Sequence, residues 1–135
     1  MLKRTVSAII VAGGFAPEAV GLGMQDQHSA CMAESGGVTS AMLDCIAVAV
    51  DSAETAIAIS QDDLFQTANP ELRAKLLSAE EQWSAYRSST CQMEAVAAGA
   101  GSFSNVALLD CTLRITTERS QWLERILANP DMIEE

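Results

Sequence analysis

Four cysteines, one histidine and two adjacent pairs of acids are the residues of this 135-residue chain whose types could do chemistry. His28 is the only histidine, and it lies in a polar lead-in. A Ser-His-Asp or Cys-His arrangement therefore has no credible base. Asp62-Asp63 and Glu80-Glu81 could furnish the two carboxylates that cleave a glycosidic bond. Helix neighbours one apart face different directions, however, so these pairs are expected to be solvated surface. With no Cys-x-x-Cys and no histidine-containing ligand pair, neither a metal nor a cofactor is expected. These residues point away from an enzyme. An even cysteine count in a small acidic chain points instead to a disulfide framework formed outside the reducing cytoplasm.

The start of the chain supports that compartment. Lys3 and Arg4 precede an apolar or small run from Thr5 to Phe15, which is too short to cross a bilayer and has the form of a signal peptide over residues 1–23. Removal after Gly23 leaves residues 24–135, with 6 basic and 17 acidic residues and a net charge of −11, against −10 for the whole chain. Such a charge disfavours nucleic acid and anionic membrane surfaces and attracts cationic partners. The expected location is the periplasm or the exterior.

The elements that position these residues read as helices. Gly23 to Gly37 is polar and expected to be irregular until Thr39, a good N-cap. Leu43, Ile46, Val50, Ala53, Ile57 and Leu64 then share one face of a helix reaching about Phe65. Asn69-Pro70-Glu71 opens a second helix, with Leu72, Leu76, Ala79, Trp83, Tyr86 and Thr90 as its packed seam. Gly99 and Gly101 place the next connection within Ala95 to Ser104. A third helix follows, with Leu108, Leu113, Trp122, Leu123 and Ile126 on its apolar face, and Asn129-Pro130 stops it. The fold class is all-α: a small antiparallel three-helix bundle stapled by two disulfides. Of three possible pairings, adjacent-element geometry favours Cys31 with Cys45 and Cys91 with Cys111, each worth on the order of 3 kcal/mol in the chain-entropy model.

The most distinctive row is Gln82-Trp83-x-x-x-Arg87-x-x-x-Cys91. Trp83 falls on the seam and is assigned to the core. Arg87 and Arg119 lie beside tryptophans and need carboxylate or carbonyl acceptors, so both are read as gluing helices together. Gln82 is read as bonding a backbone group.

This pattern resembles the lysozyme inhibitor LprI-like N-terminal domain family, long carried as a domain of unknown function. The likeness covers roughly residues 31–127. Cys31 and Cys45 resemble its first cysteine pair, Gln82, Trp83, Arg87 and Cys91 its central row, Gly101-Ser102 its glycine-serine connection, and Cys111, Thr116 and Arg119 its closing stretch. Two departures stand out: Arg87-Ser88 where the family commonly has Arg-Asp, and Ile57-Ala58-Ile59-Ser60-Gln61 where it has Leu-Asn-x-x-Tyr. The resemblance implies an exported helical domain with core 31–128, and for the name-giving branch inhibition of lysozyme. A cationic lysozyme or another basic envelope protein is then the expected partner, with Glu80, Glu81, Gly99, Gly101 and Ser102 as candidate contacts. An envelope interaction module with another partner is the alternative. Clustering of Asp62, Asp63, Glu80, Glu81 and Glu94 around one groove would favour the inhibitor, whereas an even spread would favour the module.

Overall fold

A computed structural model describes residues 18–129, which form α1 (Glu18–Glu34), α2 (Thr39–Thr67), α3 (Pro70–Ala97) and α4 (Ser102–Leu127). Most of the signal-peptide reading lies outside the described residues. Among those described, every element is a helix, and there are four rather than the three expected. The additional one is α1. Its apolar residues are spread around the helix with no apolar periodicity, and it is held against α2 by the Cys31–Cys45 disulfide. Gly36 and Gly37 adopt φ of 59° and 79°, a left-handed conformation that costs glycine little, and so let the chain turn from α1 into α2. Thr39 is the first residue of α2 rather than its cap: Val38 holds the cap position and offers no side-chain hydrogen bond.

At the start of α3, Asn69 Oδ1 accepts the Leu72 amide at 2.8 Å, while Pro70 occupies the first turn, where a missing N–H costs nothing. Arg73 fastens the turn before it, donating from Nε to the Ala68 carbonyl at 2.9 Å and lying over the Phe65 ring. The α3–α4 connection is shorter than expected. The alanine-rich sequence stays helical to Ala97, and only Ala98 to Gly101 separates the helices.

The central helix is α4, packed against α2 and α3, while α1 leans on α2. Cys91–Cys111, Arg87–Thr116 and Glu80–Arg119 contacts step backwards along α3 as they step forwards along α4, so these two helices run in opposite senses. One apolar cluster joins Ile57, Leu64 and Leu123, and a second joins Ile115 to the Cys91–Cys111 bridge. Trp83 packs against both and connects them. Fully burying an Ile or Leu side chain is worth about 1.5–3 kcal/mol, so Ile57, Leu64 and Leu123 fix how α2 and α4 meet.

The expected α2 face is present, with Ile46, Val50, Ala53, Ile57 and Leu64 all buried. The expected α3 seam is rotated. Ala79 and Tyr86 are exposed, and the partly buried row instead runs Leu72, Leu76, Glu80, Trp83, Arg87 and Thr90. Two charged residues occupy places a purely apolar seam would leave to Ala79 and Tyr86, because each finds a counter-charge on another helix.

Candidate functional site

The central row of α3 meets α4 in a ladder of guanidinium groups and indole rings. Arg87 Nη1 donates to Glu54 Oε1 on α2 at 2.8 Å and to Thr116 Oγ1 on α4 at 2.9 Å. The guanidinium also lies 4.7 Å from the centre of the Trp83 ring. Thr116, fully buried, completes the chain by donating to the Thr112 carbonyl at 2.6 Å. Arg119 lies 5.7 Å from the Trp83 ring and 4.5 Å from the Trp122 ring, and its Nη2 donates to Glu80 Oε2 at 3.2 Å. Its Nε is buried with no hydrogen-bond partner. Gln82 points away from this ladder and donates to Ser78 Oγ at 3.1 Å, not to the backbone of the connection.

This arrangement binds helices together. A guanidinium holds its proton throughout the accessible pH range and supplies no general acid or base, whereas its fork can satisfy several acceptors at once. Arg87 joins three helices in this way. Ser88, next to it, offers no carboxylate, and Glu54 from α2 supplies one from 33 positions earlier. Sequence reasoning missed Glu54. The available signal was the need of a half-buried arginine for an acceptor, but nothing local said which of many acids would answer it.

The acids whose clustering would favour the inhibitor do not share one groove. Glu54, Ile57, Glu80, Trp83 and Arg87 line a groove of about 200 Å³ between α2 and α3, and both of its carboxylates already hold arginines. Asp62 accepts from Gln66 at 2.7 Å, Glu81 is exposed, and Glu94 pairs with Arg114 near Cys111. None of these three lines that groove. His28, expected in an irregular lead-in, is part of α1. It lines a mainly apolar pocket of about 310 Å³ with Met24, Ala53, Leu113 and Gln121, and its Nδ1 is buried without a partner. Among the described residues no group of three His, Cys, Asp or Glu is placed to hold a metal ion, and no helix is long and apolar enough to cross a membrane.

Gly99, Gly101 and Ser102 form the exposed α3–α4 tip. Gly99 and Gly101 have φ of 94° and 107°, and a side chain built on either would meet nothing within 4 Å. Glycine is required there by backbone conformation and not by crowding. Val96 and Phe103 flank the turn with 80% and 65% of their surface exposed, and Met93 is similarly open.

A family model described as lysozyme inhibitor LprI matches residues 31–123. No curated protein and no solved structure matches the chain.

Proposed function

The chain belongs to the lysozyme inhibitor LprI family, and from that premise we propose that it is an exported, non-enzymatic domain that binds and inhibits a cationic lysozyme. The observation that carries the proposal is the family match over residues 31–123 in a chain of net charge −10. Opposite charge speeds encounter and fixes orientation more than it deepens affinity. In this reading residues 1–23 are the signal peptide. The mature domain works in the periplasm or outside the cell, where disulfides such as Cys31–Cys45 and Cys91–Cys111 persist.

The contact residues divide by role. Glu81, exposed and unpaired among the described ion pairs, contributes to steering, whereas Glu80 is engaged by Arg119 and acts by holding α3 to α4. Gly99, Gly101 and Ser102 let the connection approach a concave surface closely. A second reading, an envelope module with a different partner, draws its support from the scattered acids: Asp62, Glu81 and Glu94 share no groove with Glu80. The experiment that separates the two is a lysozyme activity assay with the oxidised domain at low and high ionic strength. Salt-sensitive inhibition supports the first reading, and unchanged turnover at low salt supports the second.

A further inference from the structure

The chain carries 26 charged residues among 135, yet none falls between Ala95 and Leu109. That charge-free run is the end of α3, the turn and the start of α4, and it is the part of the molecule that displays Val96 and Phe103 to solvent. It is bounded by Glu94, already paired with Arg114, and by Asp110. A strongly acidic protein thus carries an uncharged α3–α4 turn that exposes apolar side chains and has open space around its two glycines.

Glycosidic-bond cleavage places two carboxylates on either side of the scissile bond. A lysozyme that is cationic overall therefore presents an acidic centre inside a basic rim. An acidic inhibitor is drawn to the rim and repelled from the centre, because like charges brought together in a water-poor cleft are costly. We propose that the uncharged α3–α4 tip is the segment that enters the substrate cleft, with Phe103 as its main apolar anchor, while the acidic body is held by the basic rim. Aromatic side chains dominate interface energetics when they become desolvated, and Phe103 is the only aromatic residue between Ala95 and Leu109. The inference rests on the lysozyme-inhibitor reading and specifies which surface does the blocking.

Position 100 gives a test whose sign is diagnostic. If only total charge mattered, Ala100→Glu would tighten binding to a cationic enzyme and Ala100→Lys would weaken it. Tip insertion between carboxylates predicts the reverse. The two variants, with Phe103→Ser, are to be compared with the parent for inhibition of a cationic lysozyme acting on cell-wall substrate at low salt, alongside thermal melting. Expected are a rise in inhibition constant of about tenfold or more for Ala100→Glu and for Phe103→Ser, no rise for Ala100→Lys, and unchanged melting for all three, since these side chains are exposed. Equal inhibition by parent and all variants, or a loss confined to Ala100→Lys, overturns the tip as the inserting element while leaving the proposed function standing. A parent that does not inhibit overturns both.

Discussion

Replacing Trp83 by Ala should damage the whole fold rather than one surface, because this side chain joins the two apolar clusters. It packs on the Ile57–Leu64–Leu123 group on one side and on the Cys91–Cys111–Ile115 group on the other. Truncating a core Trp to Ala costs about 3–5 kcal/mol, and the partial exposure of Trp83 argues for about 3 from packing alone. Arg87 and Arg119 also lose a ring, at 4.7 and 5.7 Å, each contact worth roughly 0.5–1 kcal/mol. The expected total is about 4 kcal/mol, a large part of the stability of roughly 5–15 kcal/mol of an ordinary domain. Urea unfolding followed by far-UV circular dichroism would read this as a midpoint shift with little change in slope. Trp83→Phe, which keeps an aromatic ring beside both arginines, should lose less than half as much. A Trp83→Ala midpoint within about 1 kcal/mol of the parent would refute the bridging role, and so would Trp83→Phe being as damaging as Ala.

Replacing Cys91 and Cys111 together by Ala should destabilise by about 3 kcal/mol, since it opens a loop of 20 residues' separation at the centre of the second cluster; calorimetric melting checks this, and an unshifted midpoint contradicts it. Peptide mapping without reduction should recover the Cys31–Cys45 and Cys91–Cys111 linkages, and a Cys45–Cys91 peptide would contradict the fold. Glu80→Gln and Glu81→Gln, adjacent and chemically alike, should behave differently. The first weakens the hold on Arg119, whose side chain is only 12% exposed, and lowers stability by about 1–2 kcal/mol; the second leaves melting unchanged and slows only association with a cationic partner. Identical melting for the two variants would show that the Glu80–Arg119 pair contributes nothing.

How legible these features were depended on where each residue's partner lies. The α2 face could be read directly, because Ile46, Val50, Ala53, Ile57 and Leu64 are apolar residues at helical spacing and need only a neighbouring surface. The start of α3 was equally plain, since Asn69 and Pro70 act on residues three or fewer positions away. The phase of α3 was not legible. Glu80 turns inward because Arg119 meets it from 39 positions away, and an acid in an adjacent pair reads as solvated until its partner is known. Arg87 is legible as an arginine that joins helices, but the Glu54 that answers it lies 33 positions earlier and nothing local names it. The helix α1 was hidden for a related reason: it has little apolar stripe of its own and is secured by the disulfide to Cys45. In the connection, Gly99 and Gly101 correctly marked a turn, but its length was set by alanines that continue α3 to Ala97. At the tip, the lack of charge from Ala95 to Leu109 was visible in the sequence, whereas the exposure of Phe103 and Val96 required the packed structure.

The most direct test of the central claim is to titrate the oxidised domain into a cationic lysozyme while recording association rate, dissociation rate and turnover at about 0.01 and 0.15 M ionic strength. Between these conditions the Debye length falls from about 30 to about 8 Å, so charge steering is largely screened at the higher value. The expected result is saturable loss of turnover at both, with an association rate at least about tenfold slower at 0.15 M and a dissociation rate altered far less. No loss of turnover at 0.01 M, with both disulfides verified intact, would contradict the claim.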